Sequence, residues 1–361
     1  MARVRVAPTV APPTDNPEAL GRNAITTWGT AVASQLPYTS TVEPRITEIE
    51  PGLVAIDTLY GGRERYTAAY LLAAEEPAIV ETGPTTSAEP VTRGLERLGI
   101  GPSDLAHVVV THIHLDHAGG VGEIARRFPR ATIWVHERGA PHLEDPSRLV
   151  ASATRLYGPE RMAALFGPVV PVPAERIRPL ADGDRIDLGG RVLEALHTPG
   201  HASHHVALAD GATGAVFTGD ALGIHLPDLP VLRPATPPPD FDLERSLESI
   251  ERIRSRARGS FVLFSHFGPV REVERICDLA ARRTRAWTET VREALRRTDD
   301  VEEIVALLEA EARRDVATGA EAELDLDRFE LLSGVRMNAL GIIRYWRTRA
   351  EAEGERAQPE S

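Results

Sequence analysis

The sequence contains no lysine, so all 41 of its basic residues are arginines, and 53 acidic residues bring the formal net charge to -12. The absence of lysine excludes a lysine nucleophile or Schiff base. The acidic balance opposes nonspecific binding to nucleic acid or to an anionic membrane, because both need a basic surface. The single cysteine, Cys277, excludes an intrachain disulfide and a thiolate metal cluster, and we interpret it as a buried core thiol.

Long apolar runs are also missing. No stretch of about 18 uninterrupted apolar residues occurs, as a conventional membrane-spanning helix would need. The first residues, MARVRVAPTV, lack the apolar stretch of a secretory signal. We therefore expect a cytoplasmic protein with no membrane partner. Its 361 residues, 42% of them hydrophobic, predict a globular chain with a sizeable core.

The chain divides into three predicted zones. Residues 1–45 are rich in Pro, Thr and Ala with little periodicity, which indicates an N-terminal arm. Residues 46–270 alternate short β-type runs with turns and helical stretches, which predicts an α/β catalytic domain. Residues 271–361 have helical spacing and few glycines, which predicts a C-terminal helical region. There we interpret one apolar stripe as domain packing and, secondarily, as a homodimer seam: Leu332, Val335, Leu340, Ile343 and Trp346.

Four β-type runs end on a residue that can bind a metal ion. HVVVT leads into His112, VLEALHTPG into His201, and AVFTG into Asp220, while FVLFS leads into His266. A strand fixes the backbone while the following loop presents side chains, which suits a site that needs tight geometry. The stretch THIHLDH adds three more nitrogen or oxygen donors. The predicted ligands are His112, His114, Asp116, His117, His201, Asp220 and His266.

Seven donors are too many for one tetrahedral ion. A shared carboxylate lets two divalent ions lie about 3.5 to 4 Å apart with a hydroxide between them. Imidazoles and carboxylates without sulfur suit Zn²⁺, with Mn²⁺, Co²⁺ or Fe as alternatives, so we predict two divalent ions per chain. Asp116 and Asp220 are the predicted catalytic groups, because they could orient the hydroxide and accept a proton. The alternative is a set of separate histidines with core hydrogen bonds, which this spacing disfavours.

The motifs T-H-I-H-L-D-H, H-T-P-G-H, T-G-D and S-H-F occur in this order and resemble the metallo-β-lactamase-fold hydrolase superfamily, in particular its glyoxalase II-like dinuclear branch. RYTAAYLL and SHFGP further resemble a prokaryotic subgroup of poorly defined substrate. The resemblance implies an α/β fold, an αββα sandwich with the site at one edge and here a C-terminal helical extension. It also implies one ion on His112, His114 and His201, a second on Asp116, His117 and His266, and a bridging Asp220.

Departures from better-known members narrow the function that the resemblance implies. Glu81-Thr82-Gly83 stands where the family often has Asp-Thr-Gly, and we interpret Glu81 as a group that supports a ligand from behind. Asp220 argues against β-lactamase activity, and the absence of lysine argues against the glutathione recognition of glyoxalase II. His114 stands where oxygen-reducing diiron members carry Glu. The extra domain and basic surface of the nuclease members are also missing.

We therefore predict a metal-dependent hydrolase that cleaves an ester-like bond of a small molecule, a carboxylic ester, lactone or thioester, through a metal-bridging hydroxide. A phosphodiester or phosphotriester is the second substrate class. A redox-active diiron protein in oxygen or sulfur chemistry is the alternative, ahead of a noncatalytic metal-bound scaffold. His204 and His205 are neighbours in a strand pattern, so one should face the pocket. Arg233, in a proline-rich loop, is either a contact for an anionic substrate group or a solvated side chain.

Overall fold

The structure is a computed structural model, and it describes residues 42–226, 231–316 and 320–356. Nearly all of the predicted N-terminal arm therefore lies outside the described residues. The chain separates into a unit of residues Met1–Pro37 and a unit of residues Tyr38–Ser361, and every described residue belongs to the second.

The first sheet has seven strands, which follow each other in chain order across the sheet. Its first four strands pair antiparallel, and the fourth to the seventh pair parallel. Runs such as LVAID and AAYLL are buried along their whole length, which fits strands covered on both faces. The strands are β1 (Ile46–Glu50), β2 (Leu53–Asp57), β3 (Ala68–Leu72), β4 (Ala78–Val80), β5 (His107–Val109), β6 (Thr132–His136) and β7 (Ile177–Leu180).

The second sheet contains six strands, and β12 and β13 form a separate two-stranded ribbon. The remaining strands in chain order are β8 (Arg185–Asp187), β9 (Val192–His197), β10 (Val206–Asp210), β11 (Val216–Gly219), β12 (Ile224–His225), β13 (Leu232–Arg233), β14 (Val262–Phe264) and β15 (Pro269–Val270). In the second sheet β11 and β14 pair parallel, whereas the other neighbours pair antiparallel. The carboxyl ends of β11 and β14 therefore meet at the same edge.

The helices in chain order are α1 (Ala88–Arg97), α2 (Leu115–Ala118), α3 (Val121–Arg127), α4 (Ala140–Glu144), α5 (Ser147–Tyr157), α6 (Pro159–Arg161), α7 (Leu243–Arg256), α8 (Val273–Leu295), α9 (Val301–Asp315), α10 (Ala320–Ser333) and α11 (Val335–Arg356). None of the described helices combines the length and the hydropathy that crossing a membrane requires.

Three apolar clusters define the layers. One lies between the sheets and joins Tyr70 of the first sheet to Phe217 and Leu263 of the second. A second packs α1 and α3 on the outer face of the first sheet, and a third packs α7 and α8 on the outer face of the second. The predicted αββα sandwich with a C-terminal helical extension is therefore confirmed.

The four β-type runs that lead into the predicted ligands correspond to β5, β9, β11 and β14. β7 (IRPL) and β8 (RID) were not predicted, because each interrupts its few apolar residues with charged ones and so lacks the apolar run that marks the other short strands. The strands extend from Ile46 at the start of β1 to Val270 at the end of β15, and long helices follow from Val273. These bounds coincide with those of the predicted α/β zone, but the division into domains stays a prediction. Val335 and Ile343 of the apolar stripe are buried in a helical cluster with Trp287, and the homodimer interpretation also stays a prediction.

Candidate metal centre

The predicted ligands all follow strand ends. β5 leads into His112 and His114, and α2 winds the next residues so that Asp116 and His117 lie beside them. β9 leads into the loop that carries His201. The parallel pair β11 and β14 delivers Asp220 and His266 to the same edge of the second sheet. The structure thus brings all seven predicted ligands together, and the two sheets contribute to one cluster.

The first group is a triangle of imidazole nitrogens. His112 Nε2 lies 3.0 Å from His114 Nδ1, and His201 Nε2 lies 2.9 Å from His114 Nδ1 and 3.2 Å from His112 Nε2. Two nitrogens that share a tetrahedral ion at about 2.0–2.1 Å each lie about 3.3 Å apart. The triangle therefore has nearly the dimensions that one ion requires.

The second group combines Asp116, His117 and His266. Asp116 Oδ2 lies 3.6 Å from His117 Nε2 and 3.5 Å from His266 Nε2. Asp220 Oδ1 lies 3.3 Å from each of the same two nitrogens, whereas its Oδ2 lies 3.5 Å from His201 Nε2 in the first group. The two oxygens of Asp220 thus face different groups.

Buried polar atoms without hydrogen bonds show that the second group is suited to a positive ion. Within the described part of the chain, His117 Nε2, His266 Nε2 and Asp220 Oδ1 are buried and make no hydrogen bond, although they lie next to each other. Leaving such atoms unsatisfied is costly, because each has lost its hydration. Imidazole and carboxylate donors without sulfur fit a divalent ion such as Zn²⁺, Mn²⁺, Co²⁺ or Fe²⁺. The residues present therefore fit the metal that the motifs imply.

The outward nitrogens of the imidazoles are held by groups behind the site. His201 Nδ1 donates to the Ala235 carbonyl at 2.9 Å, and His266 Nδ1 donates to the Tyr66 carbonyl at 3.2 Å. Since a carbonyl only accepts, both rings carry their proton on Nδ1 and leave Nε2 for a metal. His114 is the exception, because it presents Nδ1 to the triangle.

Glu81 connects the two groups from behind, as the sequence predicted. It is 2% exposed, and its Oε1 accepts from Thr111 Oγ1 at 2.5 Å and from Ser265 Oγ at 3.0 Å, with His117 Nδ1 at 3.4 Å. Thr111 Oγ1 in turn lies 3.0 Å from His112 Nδ1. Glu81 also has a φ of 69°, a left-handed conformation that is unfavourable for a residue with a side chain. The strained backbone is retained at the point where one carboxylate supports two ligands.

Burial sets the charge of the first group. It lowers the pKa of His112 and of His114 well below the usual range, and neighbouring imidazoles lower it further. Burial also lowers the pKa of His201. The three rings are therefore neutral at pH 7, which is the form that binds a metal.

In the second group the carboxylates are ionised and favour a positive charge next to them. At His117 burial opposes the charged form, but the carboxylates of Asp220, Asp116 and Glu81 outweigh it and raise the pKa well above the usual range. At Asp220 burial opposes ionisation, yet His117 and His266 outweigh it and lower the pKa well below the usual range. The negative charge of this group attracts either protons or a metal ion.

His205 is a site residue whose role the sequence did not predict. It is fully buried, accepts from the Asp220 backbone N–H at Nε2 (3.1 Å), and donates from Nδ1 to Thr198 Oγ1 (2.8 Å). Gly219, with a φ of 49°, makes room for it, because a Cβ there would lie 2.3 Å from His205 Nε2. The histidine doublet after His201 was the signal, and its two members do face different surroundings.

His204 is half-buried and faces the first group, with its ring centroid 6.2 Å from that of His112 and 5.9 Å from that of His114. Burial lowers its pKa to about 4. The interpretation of Arg233 as a solvated side chain is wrong. Arg233 is 3% exposed and pairs with Glu330 at 2.6 Å, so its charge is neutralised within the protein.

Comparison with known proteins decides the family. The sequence profile of the metallo-beta-lactamase superfamily matches residues 62–266, which is more than half of the chain. The chain belongs to this superfamily. The resemblance inferred from the histidine motifs is thereby confirmed, and the matched stretch contains all seven predicted ligands, the last of them at its final residue, His266.

The alignments with curated relatives span only part of this chain. A hydroxyacylglutathione hydrolase from Aeromonas hydrophila is 35% identical over 135 residues, 37% of this chain and 39% of the relative. A metallo-beta-lactamase fold-containing protein from Sulfurisphaera tokodaii is 27% identical over 169 residues, 46% of this chain and 62% of the relative. This chain thus spans less than two thirds of the length of these curated relatives.

Solved structures of the superfamily share the fold over more of the chain. A beta-lactamase domain protein from Burkholderia ambifaria superposes with a TM-score of 0.60 at 21% identity, covering 87% of this chain and 92% of the other. At this identity the likeness establishes the fold alone, and the activity has to be inferred from the site.

Proposed function

We propose that this superfamily member is a metal-dependent hydrolase with two divalent ions. The observation that carries the proposal is the position of Asp220, whose two oxygens face two separate groups of ligands. A carboxylate shared in this way is the usual means of holding two ions side by side. In this proposal His112, His114 and His201 hold one ion, Asp116, His117 and His266 hold the other, and Asp220 bridges them.

Asp116 and Asp220 have different roles in the proposed reaction. When bound, a pair of divalent ions supplies a water of lowered pKa and polarises the ester carbonyl. The Asp116 side chain is 19% exposed and that of Asp220 only 7%, so Asp116 is the carboxylate that an incoming water or substrate reaches. Asp116 would orient the attacking water and accept its proton at Oδ1, since its Oδ2 faces His117 and His266, while the buried Asp220 would keep the two groups together.

We place carboxylic esters, lactones and thioesters first among the substrates. The hydroxyacylglutathione hydrolase relative supports a thioester, although a chain without lysine binds the thiol portion differently. Half-buried Tyr157 borders the buried apolar cluster that contains Leu115 of the metal motif, and its ring centroid lies 5.1 Å from that of Phe166. Tyr157 is therefore the side chain of this cluster that an apolar group of the substrate could reach. Burial and the charge of Asp116 raise the pKa of Tyr157, so its phenol stays protonated and able to donate.

The metal identity and the partners complete the proposal. Zn²⁺ is our first choice, because neutral imidazoles with carboxylates suit it. A net charge of -12 supports a small-molecule substrate over a nucleic acid. We also keep the cytoplasmic location as part of the proposal.

The test combines metal analysis with a substrate screen. The purified chain is stripped of metal, reconstituted separately with Zn²⁺, Mn²⁺, Co²⁺ or Fe²⁺, and analysed for bound metal. We expect about two ions per chain. The rate of hydrolysis by each reconstituted form is then measured on thioesters, lactones, carboxylic esters and phosphate di- and triesters. The iron form is also titrated with redox reagents under anaerobic conditions.

Turnover of a thioester or carboxylic ester that disappears on metal removal supports the proposal. Less than one ion per chain after reconstitution contradicts the dinuclear site. Preferential turnover of phosphate esters contradicts the substrate class, and a reversible iron couple with no hydrolysis contradicts the reaction type.

A further inference from the structure

The ligand His201 depends on a single backbone carbonyl for its orientation. Its Nδ1 donates to the carbonyl of Ala235 at 2.9 Å, in the loop between β13 and α7. This bond fixes both the tautomer and the rotation of the ring, because the opposite nitrogen must point into the site. The position of residue 235 therefore decides where His201 Nε2 points.

Asn338 connects the loop that contains Ala235 to the C-terminal helices. Asn338 lies in α11, is 1% exposed, and its Oδ1 accepts from Thr236 N at 2.5 Å and Thr236 Oγ1 at 2.9 Å. Its Nδ2 donates to Ser333 Oγ at 2.8 Å and to the Gly334 carbonyl at 3.0 Å, where α10 meets α11. Both ends of the amide are thus used, one on the loop and one on the helices.

Two further contacts bring the same helices against the loop. A Cβ built on Gly341 of α11 would lie 2.0 Å from the Thr236 carbonyl, so helix and loop touch through their backbones. Arg233, at the start of the loop, donates to Glu330 at 2.6 Å and to the Ser333 carbonyl at 3.2 Å. The loop that orients His201 is therefore shaped by residues about a hundred positions later in the chain.

We infer that the C-terminal helices position the His201 imidazole, and that Asn338 is the positioning residue through which they do so. Without its side chain the Thr236 N–H loses its buried acceptor, and the Thr236 hydroxyl keeps only the Asn338 main-chain carbonyl at 3.3 Å. The Ala235 carbonyl, which shares a peptide group with the Thr236 N–H, is then free to turn away from His201. The effect on metal binding rests on the proposed dinuclear site. The effect on the imidazole itself does not, because the Nδ1 bond is present without any ion.

Three variants separate positioning from general stability. Asn338→Ala removes the tie to Thr236. Gly341→Ala keeps that side chain but inserts a methyl group where the Thr236 carbonyl lies, so it displaces the loop from the helix side. Trp346→Phe is the matched control, since it removes a 2.9 Å bond from the same helix to the Thr288 carbonyl in α8.

The first readout needs no metal. In protein labelled with ¹⁵N at histidine, long-range proton–nitrogen spectra report which ring nitrogen carries the proton. We expect wild type and Trp346→Phe to show His201 as the Nδ1–H tautomer with a slowly exchanging proton. Asn338→Ala and Gly341→Ala should show a mixture of tautomers and faster exchange at His201.

The second readout is competition of the Zn²⁺-loaded protein with a chromophoric chelator. In Asn338→Ala and Gly341→Ala we expect the affinity for one of the two ions to fall about 10- to 100-fold, as for other groups that orient a ligand. The other ion, and both ions of Trp346→Phe, should keep wild-type affinity. Cobalt substitution should show the same selectivity, as a changed visible spectrum of one ion.

An unchanged His201 tautomer and exchange rate in both Asn338→Ala and Gly341→Ala would overturn the inference. Equal changes in Trp346→Phe would overturn it too, because loss of helix packing would then explain the effect. If Asn338→Ala does not fold, Gly341→Ala decides. If wild type binds no Zn²⁺, the proposed function fails, and the metal-free spectra still decide this inference.

Discussion

Glu81→Gln removes a negative charge from behind two ligands while keeping the size of the side chain. The Glu81 carboxylate accepts from Thr111 Oγ1 and Ser265 Oγ, and it lies 3.4 Å from His117 Nδ1. Through the Thr111 hydroxyl it also supports His112. The substitution therefore weakens the hold on one ligand of each group.

The size of the effect follows from the bonds that change. A hydrogen bond to a charged group contributes about 1.5–3 kcal/mol and one between neutral groups about 0.5–1.5 kcal/mol, so each bond to a ligand or its support loses about 1 kcal/mol or more. Two such bonds, from Thr111 and from His117, give about 2–3 kcal/mol in metal binding. That loss corresponds to about 30- to 150-fold in affinity, at about 1.4 kcal/mol per tenfold.

Chelator competition at pH 7 measures this loss, after circular dichroism has shown that the variant is folded. Glu76→Gln is the matched control, because Glu76 also pairs with a histidine, His107, at 3.0 Å, but is 56% exposed. An exposed pair contributes under about 1 kcal/mol to stability, and we expect no change in metal affinity. Wild-type affinity in Glu81→Gln, or the same loss in Glu76→Gln, would refute the reasoning.

Three further predictions concern other parts of the chain. Asp220→Ala should loosen both ions and abolish hydrolysis, whereas His266→Ala should weaken mainly one, by elemental analysis and activity. Asp210→Ala should cost about 3–5 kcal/mol in urea unfolding at pH 7, because it removes the carboxylate that the largely buried guanidinium of Arg191 contacts at 2.7 and 3.0 Å and leaves that charge only the Gly52 carbonyl. Burial opposes the charge of Asp210, but Arg191 outweighs it and lowers the pKa, so this contribution is present above the unfolded pKa of about 3.9 and disappears as the pH falls through the lower folded value. Gel shift with DNA or RNA at physiological salt should show no binding, because the chain is acidic.

Opposite results would be informative in each case. Two tightly bound ions in Asp220→Ala would contradict the bridging role. A cost under 1 kcal/mol in Asp210→Ala, or a cost that grows as the pH falls below the unfolded pKa, would contradict the ion-pair argument. Micromolar, salt-sensitive binding of nucleic acid would reopen the nuclease branch of the superfamily.

The clustering of the candidate ligands could be predicted because each combines a residue type with a position. At His112 and Asp220, for example, the residue type indicates that the side chain can bind a metal ion. The apolar run directly before each of them indicates that the residue follows a strand. Their outward partners could not be predicted in the same way. The acceptors are the main-chain carbonyls of Tyr66 and Ala235, and every residue has such a carbonyl, so the residue type carries no signal.

Arg233 shows a second limit of the sequence. Its partner Glu330 lies 97 residues further along the chain, beyond any local pattern, and only the packing of the C-terminal helices brings the two together. Its position in a proline-rich loop led to two interpretations, a substrate contact or a solvated side chain, and neither of them includes this pairing with Glu330.

Each proposed ion takes ligands from both sheets, and this has a mechanical consequence. The first joins His112 and His114 after β5 to His201 after β9, and the second joins the α2 residues to His266 after β14. An ion held in this way is a removable cross-link across the sandwich, in a chain whose single cysteine offers no covalent one. Occupancy then shifts the equilibrium against separation of the sheets by mass action. Chelation should expose the seam between the sheets to proteases well before it alters either sheet.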